Sequence, residues 1–425
     1  DISAMIKGLT GEFTNNIARV SADVDESGTV DTADLKAIKQ FVLGKISEFP
    51  VVENDVENEW DTYQETASAK MQEFYSDSIY QMGNTARLHE KVEKAQNGED
   101  VTIAYLGGSI TEGGGLDTCY AKRSYQYFAD TFGTGSNVSY VNAGMSGTSS
   151  VVGLMRAEND ILNKNPDVIF LEFSVNDHPE EIYKKSFEAL VKKCLSQSNE
   201  PAVIILINRA KGGYSMQEQM AEVGKNYNVP IISMDTALTN AFSSGLLATG
   251  DYFSDEYHPH TAGNALISDS ISYYYRQAMK TVNKTDNYKI PSTTVYGDEY
   301  ATASTVPLSE LAKLNSGSFK VDNGNKRFPY GFTFEKNSSN TPMTFTIKGK
   351  GVFITFKSNQ NSSLGNLLVT VNGKTSTIKG NRNYAWGGAD ADIAYIQNDT
   401  GELNVSIKME SSSTDFTIYG IGVIK

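Results

Sequence analysis

The chain has 425 residues, of which 39% are hydrophobic, and this is enough to form more than one folded core. Its formal net charge of −14 excludes a nucleic acid or an anionic membrane as a partner, because both would repel an acidic surface, whereas a neutral polysaccharide is compatible. No apolar run approaches the roughly 18 residues that span a bilayer, and no secretory signal is visible. The two cysteines, Cys119 and Cys194, exclude a disulfide framework and leave open one bridge or two free thiols.

The first motif along the chain is DVDESGTVDTAD, residues 23–34, which has the spacing of an EF-hand calcium loop. The oxygen ligands that this spacing predicts are Asp23, Asp25, Ser27, Thr29, Asp31 and Asp34, with Thr29 using its backbone carbonyl. Ser27 and Asp34 depart from the usual pattern, which predicts weaker binding. The alternative is an acidic turn that caps a helix without binding a metal.

A helical pattern follows the loop directly, with apolar positions Leu35, Ile38, Phe41 and Val42 and a predicted end at Gly44. A calcium loop and a helix, with no helix in front, resemble a dockerin module, and residues 1–5 match residues 34–38 as the remnant of a first repeat. The resemblance implies a small all-α, EF-hand-like dockerin in residues 1–50, a structural calcium ion, a cohesin module of a scaffolding protein as partner, and secretion to an extracellular cellulosome. It also implies a fragment whose first calcium loop lies upstream.

Residues 51–100 are expected to form a linker and helices that lead into the next domain. Residues 85–95 have an amphipathic helical pattern, and His89 within it is interpreted as a structural histidine. From residue 101 to about residue 281 strand-like and helix-like segments alternate. This alternation predicts a doubly wound α/β domain with a parallel sheet in residues 101–282.

Ser109 follows the most strand-like stretch of this domain, VTIAYL in residues 101–106, after a turn at Gly107 and Gly108. Ligands bind at the carboxyl ends of strands in open α/β sheets, so a serine there can present its hydroxyl to a substrate carbonyl. A Gly-Gly-Ser turn without a catalytic role is the alternative. Further polar residues follow later strand-like runs: Asn176 lies after residues 167–173, and Asp255 and His258 lie in DEYHP. His258 is the candidate base, with Asp255 to orient its ring.

The order and spacing of these segments resemble the GDSL/SGNH hydrolase superfamily. The resemblance implies that Ser109 is the nucleophile, that Asp255 and His258 complete a Ser-His-Asp triad, and that Ser109, Gly147 and Asn176 form the oxyanion hole. It implies no cofactor or metal for catalysis. Gly108 stands where the family usually has Asp, and Val175 where it often has Gly, and these departures concern substrate shape more than chemistry.

Other polar residues near the predicted site are weaker candidates. His178 and His260 either line the pocket or are loop histidines bonded to backbone, and Glu112 and Arg209 lie just beyond strand ends, where substrate contact is one interpretation. A glycosidase would need two acidic residues facing each other across a sugar, and no pair is singled out by its context.

From about residue 283 the sequence consists of β-rich segments separated by Gly, Asn, Ser and Asp turns such as Asn372-Gly373. This pattern predicts a C-terminal antiparallel, jelly-roll-like β-sandwich in residues 283–425. Tyr384, Trp386 and Tyr395 could stack on sugar rings, but packing in the core or between domains is the favoured interpretation.

Together these features predict a secreted, dockerin-bearing serine esterase that removes acetyl groups from plant cell-wall polysaccharide, of the acetyl xylan or acetyl mannan type. The substrate class is inferred from the predicted dockerin, because dockerin-bearing enzymes belong to cellulosomes, which degrade plant cell walls. The alternatives are a lipase or thioesterase with the same site, which would need a broad apolar entrance, and a non-catalytic carbohydrate-binding protein. The loops near Ser109 are too polar for such an entrance.

Overall fold

The computed structural model describes residue 37 and residues 69–114, 119–281, 288–322, 327–360 and 363–425. The chain separates into two compact units, Asp1–Gln72 and Glu73–Lys425. The predicted calcium loop, residues 23–34, and nearly all of the predicted dockerin lie outside the described residues, so both stay predictions. Among the residues described, no helix has the length and apolar character needed to cross a membrane.

A six-stranded sheet forms the centre of the α/β domain. Its strands are β1 (Ile79–Gln81), β2 (Val101–Gly107), β3 (Val138–Gly144), β4 (Val168–Glu172), β5 (Ala202–Ile207) and β6 (Ile231–Ser233), in the order β1-β6-β5-β4-β2-β3. Strands β2 to β6 are parallel, which confirms the predicted α/β class, and β1 adds an antiparallel edge. The central strands β4 and β5 are buried at every residue, as continuous apolar runs in a parallel sheet should be.

Helices cover both faces of this sheet. They are α1 (Ala69–Ser78), α2 (Ala86–Gln96), α3 (Ser109–Glu112), α4 (Tyr120–Phe132), α5 (Ser150–Asp160), α6 (Glu181–Leu195), α7 (Gln217–Asn226), α8 (Met234–Ser244) and α9 (Thr261–Lys280). Leu106 and Leu171 belong to the apolar core formed with α5, α6 and α7. Phe170 instead contacts Tyr275 of α9 on the opposite face. Successive side chains of a strand alternate between faces, so both helical layers are anchored on the same strands.

The C-terminal β domain contains a nine-stranded sheet in which all strand pairs are antiparallel. Its strands are β7 (Ser304–Thr305), β8 (Ala312–Asn315), β9 (Lys320–Asp322), β10 (Gly331–Phe334), β11 (Met343–Asn359), β12 (Asn366–Val371), β13 (Lys374–Lys379), β14 (Trp386–Met409) and β15 (Phe416–Ile424). The order is β13-β12-β14-β11-β15-β10-β9, with β7 paired to β15 and β8 to β11. The antiparallel class is confirmed, and the two-layered jelly roll stays a prediction.

One predicted turn of this domain is confirmed, whereas two strands predicted as separate form one continuous strand. Asn372 and Gly373 have φ angles of 49° and 82° and join β12 to β13, so the predicted hairpin turn is present. The separate strands expected at residues 343–347 and 352–356 are instead one strand, β11. The register of β11 against β14 shifts between Gly349 and Gly351. Because of this local irregularity the strand pairing continues through glycines that the sequence pattern suggested would form a turn.

The β domain packs against the α/β domain on the side of α5. Phe353 and Ile424 of the β domain belong to the same apolar core as Val152 and Met155 of α5. The connecting segment is held by the buried carboxylate of Glu188, which accepts backbone N–H bonds from residues 295, 296 and 297 at 2.7, 2.6 and 3.1 Å. The shared core and the held connecting segment therefore fix the position of the β domain against the α/β domain.

Both cysteines are free and buried, so two free thiols are present and the alternative of one bridge is wrong.

Candidate active site

The side chains of Ser109, His258 and Asp255 form a continuous hydrogen-bonded chain at the carboxyl end of the parallel sheet. Ser109 is the first residue of α3, directly after the end of β2. Its Oγ lies 2.8 Å from Nε2 of His258. Nδ1 of His258 lies 2.8 Å from Oδ2 and 3.0 Å from Oδ1 of Asp255. This is the geometry in which an imidazole removes a proton from a hydroxyl while a carboxylate orients the ring.

The loop that carries Asp255 and His258 is closed by its own backbone. Phe253 and Pro259 form a β-bridge, and the Ser254 N–H donates to the His258 carbonyl at 2.8 Å. Oδ1 of Asp255 accepts the backbone N–H groups of residues 257 and 258, both at 2.8 Å. Partial burial acts to raise the pKa of the Asp255 carboxyl, but the hydrogen bonds from His258 and Tyr257 outweigh it and the pKa lies below its ordinary value. The carboxylate is therefore held ionised beside the imidazole.

The three expected oxyanion donors lie around the same serine. Ser109 contributes the N–H at the start of α3, and Gly147 has a φ of 67°, in the left-handed region that glycine tolerates. Asn176 lies on the loop after β4, and its backbone N–H donates to the Phe173 carbonyl at 2.9 Å. Such donors stabilise the charge that develops on a substrate carbonyl oxygen. The structure brings the predicted residues together, and their catalytic roles stay predictions.

Gly108, the departure from the family pattern, is explained by the position of Asn176. A Cβ at residue 108 would lie 2.1 Å from Oδ1 and 3.0 Å from Cγ of Asn176. An aspartate at this position could not fit without moving the Asn176 side chain. Glycine at residue 108 therefore lets the amide of Asn176 lie against the nucleophile turn.

Two buried carboxylates lie beneath the site. Glu172, at the end of β4, accepts a hydrogen bond from the Thr111 hydroxyl at 2.8 Å, and burial raises its pKa although several hydrogen bonds act to lower it. Asp177 accepts the N–H of Ser150 at 2.7 Å and its hydroxyl at 2.6 Å. Burial outweighs these bonds and raises the pKa of Asp177 to about 7. Asp177 thereby fastens the Asn176 loop to the start of α5.

Three other polar residues that the sequence marked near the site make contacts within the protein. Glu112 accepts the N–H of Ser146 at 2.8 Å and also its hydroxyl, so it braces the loop that carries Gly147. Arg209 is ion-paired with Asp235 at 3.6 Å. His260 is the cap of α9, where Nδ1 accepts the Ala262 N–H at 3.0 Å, as expected for a loop histidine.

Two exposed aromatic side chains of the β domain, Trp386 and Tyr384, lie beside the site and are called the aromatic edge. Their exposure was not the favoured expectation from the sequence. Trp386 is 71% exposed, so it is not a core residue, and its ring lies edge-on to Tyr257 with 5.9 Å between centroids. A Cβ at Gly147 would lie 3.8 Å from Trp386. On the other side, Tyr384 is 42% exposed and its ring lies 4.5 Å from that of His178. The third aromatic, Tyr395, packs against the core of the β domain as expected.

Within the described ranges no group of three or more His, Cys, Asp or Glu side chains is arranged to hold a metal ion.

The chain is similar to one curated protein and to several solved structures. A multidomain esterase from Ruminococcus flavefaciens is 41% identical over 56 residues, a stretch that spans 13% of this chain and only 7% of that protein. A two-domain esterase active on acetylated mannans, co-crystallized with mannopentaose, has a TM-score of 0.72 and 26% identity over 82% of this chain and 97% of that one. A further structure of a two-domain esterase active on acetylated mannans has a TM-score of 0.72 and 25% identity, covering 82% and 98%.

The likeness to the two-domain esterases covers more of the chain than the α/β domain alone, so it includes the β domain. Residues 105–266 match the model of the GDSL-like Lipase/Acylhydrolase family, and this range contains Ser109, Gly147, Asn176, Asp255 and His258. The part of the chain that carries the candidate active site is therefore similar to the GDSL-like Lipase/Acylhydrolase family, and the chain is an ester hydrolase.

Proposed function

We propose that this chain is a secreted serine esterase that removes acetyl groups from plant cell-wall polysaccharide, with acetylated mannan as the preferred substrate. The observation that carries the proposal is the likeness to two-domain esterases active on acetylated mannans, which extends over both domains and 97% of the first of those chains. The hydrogen-bonded chain from Ser109 through His258 to Asp255 supplies the acyl-transfer chemistry. Acetylated xylan is the alternative substrate.

In the proposed reaction Nε2 of His258 accepts the proton of the Ser109 hydroxyl as Oγ bonds to the acetyl carbonyl carbon. The resulting oxyanion accepts hydrogen bonds from the N–H groups of Ser109 and Gly147 and from the Asn176 amide. When the carbon–oxygen bond to the sugar breaks, the sugar oxygen takes the proton from His258. Water then attacks the acetyl-serine, with His258 again the base, and acetate leaves as Ser109 regains its proton.

The polysaccharide is proposed to lie along the aromatic edge of the β domain. Trp386 and Tyr384 are exposed aromatic side chains of the β domain beside the site, and aromatic faces pack well against the apolar faces of sugar rings. Tyr384 is held in place because its hydroxyl accepts a bond from Arg382 at 3.0 Å. Arg382 is itself ion-paired with Asp390 at 3.0 Å and Asp392 at 2.6 Å. A rigid aromatic edge suits a neutral polymer better than a lipid, which would need a broad apolar entrance.

Delivery of the enzyme is proposed to depend on residues 1–50. The calcium-loop spacing of residues 23–34 supports a dockerin that binds one structural calcium ion and docks to a cohesin module in an extracellular cellulosome. Calcium should be required for cohesin binding and not for ester hydrolysis. Isothermal titration with a cohesin module, with calcium and with a chelator, tests the first part, and hydrolysis of p-nitrophenyl acetate in the same buffers tests the second.

The substrate assignment is tested by acetate release from acetylated glucomannan, acetylated xylan and acetylated pectin at matched acetyl content. We expect the highest kcat/KM on glucomannan. A preference for xylan would replace the proposed polysaccharide while keeping the reaction. Absence of acetate release from all of them, with hydrolysis of long-chain p-nitrophenyl esters, would instead favour a lipase.

A further inference from the structure

The β domain contacts the loop of Gly147 through Arg327 as well as through Trp386. Nη2 of Arg327, which precedes β10, donates to the carbonyl of Gly144 at 2.8 Å. Its Nη1 lies 3.4 Å from Oδ2 of Asp160, at the end of α5. Gly144 is the last residue of β3, three positions before Gly147. An arginine of one domain therefore holds the start of the oxyanion loop of the other.

A second arginine holds the same strand ends from inside the α/β domain. Arg156 is 1% exposed and donates to the carbonyls of Ala143 at 2.5 Å and Gly107 at 2.9 Å. It also pairs with Asp160 at 2.6 Å, so this carboxylate is shared by both arginines. The Gly107 carbonyl additionally accepts the Met145 N–H at 3.0 Å. Strands β2 and β3, which lead to Ser109 and Gly147, are thereby fixed to each other.

Further hydrogen bonds hold the residues on either side of Gly147. The Ser146 N–H donates to Glu112 at 2.8 Å, and the Met145 carbonyl accepts the Thr148 hydroxyl at 2.7 Å. Among the residues described, the Gly147 N–H has no protein acceptor. An N–H held without an internal partner is available to a substrate oxyanion, and its direction depends on the bonds on either side of it.

We propose that Arg327 of the β domain is a positioning residue for the oxyanion hole, so that turnover depends on the β domain even for an ester without a sugar. This inference rests on the proposed serine esterase function. The guanidinium fork has donors for the Gly144 carbonyl and for Asp160 at the same time, which a glutamine or a lysine cannot reproduce fully. Without this bond the start of the loop loses its anchor in the β domain, and the Gly147 N–H no longer keeps one direction.

The test compares Arg327→Gln and Arg327→Lys with the wild-type protein on p-nitrophenyl acetate, which has no sugar to contact the aromatic edge. We expect kcat to fall roughly tenfold to a hundredfold in Arg327→Gln with KM little changed, because one oxyanion donor is misdirected rather than removed. Arg327→Lys should recover part of the loss. The matched control is Lys320→Gln, a basic residue of the same domain that pairs with Glu335 on the surface, and it should keep wild-type kcat.

A second readout separates positioning from general destabilisation. A small alkylboronic acid adds to a catalytic serine and directs an oxygen towards the oxyanion donors, so its inhibition constant should rise in Arg327→Gln by about the factor that kcat/KM falls. Wild-type kcat and inhibition constant in Arg327→Gln, with Ser109→Ala inactive, would overturn this inference alone. Activity retained in Ser109→Ala would overturn the proposed function and this inference with it.

Discussion

Oγ of Ser109 lies 2.8 Å from Nε2 of His258, although 149 positions separate the two residues in the chain. Ser109 is placed by the end of β2, whereas His258 is placed by a loop that closes on itself between Phe253 and Pro259. Local backbone hydrogen bonds fix both the end of β2 and the loop that carries His258. The two side chains therefore need little further ordering when substrate binds. The contact between these two side chains therefore exists before substrate binds, as the proposed acyl transfer requires.

Asp255→Asn should lower kcat on p-nitrophenyl acetate by on the order of a hundredfold or more, because an amide neither fixes the imidazole tautomer nor stabilises the imidazolium. The matched control is Glu256→Gln. The Glu256 carboxylate accepts the Gly212 N–H at 2.9 Å, so its loss should leave the imidazole in place. Equal activity of the two variants would show that Asp255 does not orient His258.

Gly108→Ala should lower kcat at least tenfold, because the new Cβ would lie 2.1 Å from Oδ1 of Asn176 and push this oxyanion donor away. Gly250→Ala is the control, since a Cβ there has no atom within 4 Å. Steady-state kinetics and melting temperatures should be measured together. Unchanged kcat in Gly108→Ala would mean that Asn176 can move without loss of oxyanion stabilisation.

Trp386→Ala should reduce kcat/KM on acetylated mannan roughly fivefold to tenfold, corresponding to about 1 kcal/mol of lost stacking, and reduce it much less on p-nitrophenyl acetate. The control is Ile396→Ala, an exposed apolar residue of the same strand that is 44% exposed. The comparison is acetate release on the polymer against hydrolysis of the small ester. An equal loss on both substrates would contradict a sugar-binding role.

Asp177→Asn should change the pH dependence of stability. Burial raises the pKa of Asp177 from 3.8 to about 7, so its contribution to stability is fully present below about pH 4 and is lost as pH rises through 7. An amide does not titrate. The free energy of unfolding of the variant relative to wild type, measured by denaturant titration, should therefore increase between about pH 4 and pH 7, with a limiting slope of about 1.4 kcal/mol per pH unit, and stay level above pH 7. Exposed Asp100→Asn is the control, and a matching trend in both variants would contradict the explanation.

Ser109, Asn176, Asp255 and His258 could be singled out because each follows a strand-like run or lies in a short motif, whereas Gly147 was implied only by the resemblance to the GDSL/SGNH hydrolase superfamily. A serine directly after a buried strand, and a carboxylate three residues before a histidine, can be recognised without the fold. The parallel sheet was predictable for the same reason, since β2, β4 and β5 are continuous apolar runs. The edge strand β1 has three residues and no pattern that could reveal it.

The sequence marked Trp386 as a residue for packing or for sugar stacking, but it could not show that Trp386 and Arg327 contact the loop of Gly147. Arg327 and Trp386 reach the loop of Gly147 only because the two domains pack through α5, and no local spacing encodes that contact. Glu112 and Arg209 also lie just beyond strand ends, and they contact Ser146 and Asp235, while contact with substrate stays a prediction. Catalytic and structural polar residues both occur just after strands, so this position alone does not distinguish them.

The most direct test of the account is acetate release from acetylated mannan by wild type and Ser109→Ala at equal concentration. Removal of the hydroxyl removes the nucleophile, so the account predicts a loss of kcat on the order of 10⁴-fold or more, with the melting temperature unchanged. Mass spectrometry during turnover should find the acetyl group on Ser109 in the wild type alone. Turnover near the wild-type value in Ser109→Ala, with a folded variant, would contradict the serine mechanism.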